Sequence, residues 1–409
     1  MPGRGRISPV RVVDADLASG HDPELLPSRY VSARALVRLN GAPIGYVDIE
    51  NRLLGRSAGG LAGESVEHLE PSLWRERVQR QLIVRPWPAE RETVTVIVCT
   101  RDRAQDLDLC LTALAAQTYS PAEVIVVDNA PRDDSTREVA GRHGARRVVE
   151  GRPGLNWARN KGLQAARGSI VAYVDDDARP APGWLAAIVD TFAWGGVDGG
   201  IDAVTGLVVP AELETRAQHM FENVYGGMGK GFKTILHSQR GRSLSFEPHR
   251  YGVGCNMAFR RDALCRLGGF DPALETGTLA GGGGDLDVFQ RVIENGGTIV
   301  YRPDATVTHV HRRTLRQLRR QLFDNGRGYA AFCCAALARA RGRGRLEVAY
   351  AYLQWLDRWL LRRAIRRVLR REALPLSLIL VELAGGLVGP ALYAVSRRRA
   401  RTTARLHAA

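Results

Sequence analysis

The chain has 409 residues, 45% hydrophobic and 25% charged, ordinary globular usage that argues against disordered and fibrous classes and leaves room for two or three folding units. The formal charge of +15 sits at one end: His311–Ala409 holds 22 Arg against 5 acids, whereas the preceding 310 residues net −2. Six Cys form no C-x-x-C pair, which argues against a disulfide scaffold and predicts reduced thiols in a cytosolic protein. The first 17 residues lack the apolar stretch of a secretory signal.

Residues 1–28, rich in Pro, Gly, Asp and Arg, read as a loose arm. ARALVRL (33–39) and IGYVDIE (44–50) flank Asn40-Gly41 and predict a hairpin. A helix over 71–84 and a stiff Pro86-Trp87-Pro88 linker place a boundary near residue 90, closing a small β-rich unit over 1–90. Beyond it, VTVIVC (94–99), VIVVD (124–128), RVVE (147–150) and SIVAYV (169–174) are short apolar runs of the kind buried on both faces of a parallel sheet. Helical patterns over 104–117 and 155–167 alternate with them, which predicts an α/β fold with a mostly parallel central sheet over 91–315. Ligands of such sheets gather at the carboxyl ends of strands. Thr100-Arg101-Asp102-Arg103, Asp128-Asn129 and Asp175-Asp176-Asp177 all stand there.

Three adjacent carboxylates repel one another, so a cluster at a strand end favours a cation. Asp175 and Asp177 share one face of an extended chain and suit a hard ion, Mg2+ or Mn2+, that leaves positions for phosphate oxygens. A solvated turn ahead of a helix near Pro182 is the plainer reading of the same residues. The chain has no phosphate-binding G-x-x-x-x-G-K-[ST] loop; GGMGKGFKT (226–234) puts Gly231 where Ser or Thr belongs. A nucleotide diphosphate held through a metal is the better match.

VTVIVCTRDR, VIVVDNAPRDDS, GLNWARNKGLQAARGSIVAYVDDDARP, GCNMAFRRDALCRLGGFDPAL and GGGDLDVFQRVIENGGTIVYRPDATVTHVHR follow one another between Val94 and Arg313. In this order they resemble the family 2 glycosyltransferases, which have the GT-A nucleotide-sugar fold. The resemblance implies an inverting transferase that moves a sugar from a nucleotide-diphosphate sugar to an acceptor hydroxyl in polysaccharide, glycolipid or other cell-surface glycan synthesis. It further implies that Thr100, Arg101 and Asp128 contact base and ribose, that Arg159 faces the donor, and that Asp175 and Asp177 hold the metal, with Asp175 also supporting the nucleotide. His309 is a further metal candidate and Asp285 the general base. Family members usually read Gly-Glu-Asp at the base, and this chain has Gly284 in place of the glutamate. A non-catalytic sugar-nucleotide or membrane-binding protein retaining the fold is the alternative.

The region 316–409 reads as a basic helical tail. Over 346–372, Leu353, Leu356, Leu360, Ile365 and Val368 follow helical spacing among arginines, a pattern suited to an anionic membrane surface. Leu374–Ser396 is long enough to span a bilayer of ~30 Å, but Glu382, Gly385, Gly386, Gly389 and Pro390 interrupt it. No nucleic-acid recognition module accompanies the charge. The expected partners are thus the donor, a glycan, lipid-linked or small-molecule acceptor, and the inner face of the cell membrane, where the protein is peripheral or held by one span.

Overall fold

The computed structural model describes residues 8–18, 29–50, 92–194, 200–239, 246–369 and 373–406, with single positions 69, 71, 74 and 78. The expected 71–84 helix lies outside the described residues, apart from Pro71, Trp74 and Val78, which are helical. The 86–88 linker lies outside them entirely.

Strand β1 (Val10–Asp16) falls where a loose arm was expected. It pairs in parallel with β2 (Ser32–Leu39), which turns back antiparallel into β3 (Ala42–Glu50). Polar spacing hid β1 from the sequence: its acids are used up in pairing. Asp14 lies 2.7 Å from Arg38, and Asp16 accepts from the Asn40 and Gly41 amides at the hairpin tip. Both tip residues have positive φ, 48° and 80°, as a tight primed turn requires. This small sheet packs on the main body through Leu36, which clusters with Leu207 and Val209.

The main sheet contains β4 (Val94–Thr100), β5 (Glu123–Asn129), β6 (Arg146–Glu150), β7 (Ile170–Asp175), β8 (Ala178–Pro180), β9 (Ala203–Pro210), β10 (Ile235–Ser238), β11 (Asn256–Arg260) and β12 (Thr298–His309). Its order is β10-β12-β9-β11-β7-β4-β5-β6, with β8 beside β12. The run β7-β4-β5-β6 is parallel, as is β9 with β12, while β11 enters antiparallel to both neighbours. This inserted strand brings Cys255 and Asn256 beside the end of β7, with Asn256 opposite Val174.

Helices α1 (Ala104–Ala115), α2 (Ser135–Arg142), α3 (Leu155–Ala165), α4 (Trp184–Phe192), α5 (Arg216–His219), α6 (Arg261–Arg266) and α7 (Gly284–Glu294) connect these strands. Val96 and Val98 of β4 face Leu107, Leu111, Trp184 and Ile188. Ile97, one residue out of phase, faces Leu163, Tyr173, Phe259 and Phe289. Alternate residues of one strand thus feed two cores, so the strand must be apolar throughout.

The tail is a helical layer on this body. Within the helical tail expected over 316–409, a 25-residue helix whose bounds the sequence did not mark, α8 (Leu315–Arg339), precedes α9 (Arg343–Gln354), α10 (Arg362–Val368) and α11 (Leu376–Leu406). The single helix expected over 346–372 is present as one continuous helical run from Arg343 to Val368, in which a π-helical turn, Trp355–Leu361, joins α9 to α10; residues 370–372 lie outside the described residues. The turn sets Trp355 against Gly386 and Trp359 Nε1 3.2 Å from Glu382. Along α8 and α11 the backbones themselves touch. A Cβ on Gly326 would run into the Glu382 carbonyl oxygen, and one on Gly385 into that of Phe323. The glycines that interrupt the apolar stretch are therefore its packing surface. By length and composition α11 is able to cross a membrane, with mean hydropathy 1.9 over its most apolar window, 39% of which is buried. Glu382, buried on α11, accepts from the Tyr225 hydroxyl at 2.7 Å, and burial pushes its carboxyl up to about 7.

Candidate active site

The acidic turn after β7 does not hold three equivalent carboxylates. Asp176 accepts from the Thr100 hydroxyl at 2.7 Å and from Arg103 at 2.7 Å, and burial pushes its carboxyl up to about 7 against the pull of Arg103. Asp177 is buried between Arg103, 3.0 Å away, and His309 Nε2, 3.2 Å away. Burial opposes its ionisation, but His309 and Arg103 outweigh burial and hold the carboxyl well below the usual range. Asp175 keeps a side chain one-third exposed. Burial and the neighbouring Asp177 raise its carboxyl, with Arg159 opposing.

Asp175, Cys255 and His309 each bring one donor atom within 4.8 Å of the others. His309 Nδ1 is buried and finds no hydrogen-bond partner among the described residues. Burial and three nearby aspartates raise the Cys255 thiol well above its ordinary value, and its soft sulfur is a poor match for a hard ion. A carboxylate and an imidazole remain, with Asp177 behind them on His309. This donor set fits Mn2+ or Mg2+, and its nitrogen favours the former.

Arg159, buried on α3, joins the acidic turn to the second carboxylate group. Its guanidinium lies 3.9 Å from Asp175 and 3.3 Å from Glu275 and donates to the Gly254 carbonyl at 3.4 Å. The amide of Gly254 in turn donates to Asp285 Oδ2 at 2.8 Å, while Asp285 Oδ1 accepts from Leu286 at 2.8 Å. Asp285, at the start of α7, is thus linked to Asp175 through the Arg159 ion pair and the Gly254 peptide. Burial, then Glu275, push its carboxyl up to about 6, the range in which a carboxylate serves as a base near neutral pH. Lys230 also reaches the electrostatic range of Asp285 and Cys255; burial lowers its ammonium.

The backbone before Asp285 is fixed by the tail. Gly281 and Gly283 are left-handed, with φ of 73° and 85°. A Cβ on Gly283 would run into the Gly328 carbonyl oxygen of α8, and one on Gly328 would meet Gly282 at 2.8 Å. The basic tail is therefore the backing of the loop that carries Asp285.

The structure brings together Arg159, Asp175, Asp177, His309 and Asp285. Thr100 is buried and spends its hydroxyl on Asp176. Arg101 is exposed at the end of β4. Asp128 is buried on Arg147 at 2.7 Å, and its Oδ1 lacks a hydrogen-bond partner among the described residues. Sequence reasoning missed Arg103, Glu275 and Lys230. Arg103 belongs to the same Thr-Arg-Asp-Arg run as Arg101; Glu275 had no local pattern to mark it.

Residues 95–268 match the family described as Glycosyl transferase family 2. A glucosyl-dolichyl phosphate glucuronosyltransferase of Haloferax volcanii is 28% identical over 232 residues, 53% of this chain and 68% of that protein. A pre-mycofactocin glycosyltransferase of Mycobacterium tuberculosis is 29% identical over 249 residues, 58% of this chain and 47% of its own length. Among solved structures, a mannosyltransferase of Pyrobaculum calidifontis in complex with GDP-Man and Mn2+ aligns over 81% of this chain and 91% of its own, with TM-score 0.48 and 22% identity.

Proposed function

The chain is a glycosyltransferase whose residues 95–268 form a family 2 domain, and we propose that it transfers a sugar from a nucleotide-diphosphate donor to an acceptor hydroxyl with inversion at the anomeric carbon. One observation carries this reading: the buried Arg159 sits between Asp175, at the end of β7, and the base candidate Asp285, at the start of α7. Donor diphosphate and acceptor hydroxyl then have adjacent places. Asp175 and His309 would hold Mn2+ or Mg2+, with Asp177 orienting the imidazole. The ion, when bound, neutralises the diphosphate as it leaves.

Arg159 adds a fixed positive charge where the leaving group gains negative charge, in a site poor in water. Asp285 takes the acceptor proton from the side opposite the leaving group. Its raised pKa suits this work, since a carboxylate of ordinary pKa is a weaker base. Asp128, Arg101 and the end of β4 take the nucleoside. Thr100 acts behind them, by holding Asp176.

The name of the Haloferax relative supports a lipid-phosphate-linked acceptor. So does an open cleft of the tail where Arg216, Arg316 and Arg319 stand among Met220, Leu315 and Leu378. Exposed Leu353, Ile365, Val368 and Leu369 lie among the arginines of the same layer, which suits an anionic membrane on the cytoplasmic side. Thermal shift across a panel of nucleotide sugars, with and without Mn2+, followed by release of the nucleoside diphosphate, tests the reading. One donor should raise the melting temperature in a Mn2+-dependent way and be turned over; silence across the panel refutes it.

A further inference from the structure

Glu275 is a non-glycine residue held in the left-handed region, with φ of 83°, where a side chain is strained and tends to persist for function. It lies on the loop between α6 and α7, nine positions before Gly284. Its carboxylate is nevertheless at the start of α7. Oε2 accepts from the Gly284 amide at 3.1 Å and from Arg159 at 3.3 Å. The loop is locked in turn: the Glu275 amide donates to the Gly282 carbonyl at 3.2 Å, and its own carbonyl accepts from the Thr278 hydroxyl at 2.7 Å. A Cβ on Gly284 would stand 2.9 Å from Oε2 and would run into Asn156 Nδ2. The space that a side chain at 284 would need is therefore filled by a carboxylate delivered from position 275.

We propose that Glu275 is the positioning residue of the base. It holds the first amide of α7 and the guanidinium of Arg159 in one grip, and so fixes Asp285 relative to the donor side of the site. This rests on the reading of Asp285 as general base. The argument is geometric: α7 starts at a glycine preceded by three more, a backbone with little stiffness of its own, and helix amides at an N-terminus need an acceptor. No side chain caps α7 from the N-cap position, which is Gly283. Glu275 supplies the missing acceptor from outside the helix. The carboxylate is within the residue's 9% exposure, so it acts on the protein side of the site.

The test uses the full chain and two readouts. Backbone hydrogen exchange over 284–287, without substrates, reports the grip itself. Turnover of the nucleotide sugar that the panel selects, with Mn2+, reports its effect on the base. Glu275→Gly, which removes the side chain and accepts the left-handed backbone, should speed exchange at least tenfold over 284–287. It should lower kcat about 100-fold and leave the donor KM within threefold. Glu275→Gln, which keeps an amide oxygen for Gly284, should retain the exchange protection and most of kcat. Unchanged exchange, or a wild-type kcat, in Glu275→Gly overturns the proposal. If the wild-type chain turns over no donor while Glu275→Gly still loosens 284–287, the transfer reading falls and the positioning role stands.

Discussion

Replacing Asp285 by Asn separates activity from stability in opposite directions. Burial and Glu275 raise its carboxyl from an ordinary 3.8 to about 6. At ~1.4 kcal/mol per pH unit, ionised Asp285 costs the folded chain about 3 kcal/mol. The sign is that of a raised acid: the cost is absent below pH 3.8, grows as pH rises, and is complete above about 6. Asn never ionises, but it has one acceptor oxygen for the two amides, of Gly254 and Leu286, that Asp285 now binds. Losing one such bond costs about 1 kcal/mol. The net gain at about pH 8 is about 2 kcal/mol, or a melting temperature higher by about 4–8 °C for a domain of this size. At about pH 4 the gain disappears. Turnover meanwhile falls ~10²–10⁴-fold with the base gone. Thermal melts of both proteins across this pH range, beside single-donor kinetics, measure this. An Asp285→Asn variant that melts at or below wild type on the alkaline side, or that keeps its turnover, refutes the reasoning.

Removing divalent ions with EDTA should abolish transfer, and His309→Ala should raise the Mn2+ concentration needed to restore it by at least tenfold, read by titrating Mn2+ against rate. Gly326→Ala places a methyl group into the Glu382 carbonyl of α11, where backbone cannot give way. A loss of about 3 kcal/mol, the upper end for overpacking, should appear in urea melts, with faster proteolysis of the tail. Ile365→Ser and Leu369→Ser remove two exposed apolar side chains of the basic layer. They should weaken co-sedimentation with anionic lipid vesicles severalfold and leave soluble-donor hydrolysis unchanged.

Strands β4, β5, β6 and β7 were legible as short apolar runs between helical patterns, whereas β8, β9, β10 and β11 were not singled out. Val94–Thr100 is inside on both faces, and no helix pattern competes with it. The acidic turn was legible as a cluster but not in its division of labour. Which of Asp175, Asp176 and Asp177 meets Arg103 depends on how α1 packs against β8, and nothing in the local sequence records that. Glu275 was invisible for the same reason, being nine residues from its partner Gly284 and joined to it by a loop. α8 falls in the region read as helical, but its bounds were not legible because Gly326 and Gly328 weaken its propensity. Those glycines are there for α11 and for the Asp285 loop, partners that only the folded chain supplies. β1 was missed because its charges pair within the small sheet.

The backing of the Asp285 loop by α8, and of α8 by α11, fixes an order of events in biosynthesis. At about 5–20 residues per second, the ribosome exposes α8 several seconds before α11 is complete. During that interval the glycine-lined groove of α8 is open, and the loop that carries Asp285 rests on a support that is itself unsupported. The packing that backs this loop is complete only once α11 has closed over the groove, which ties the loop's geometry to the arrival of that helix.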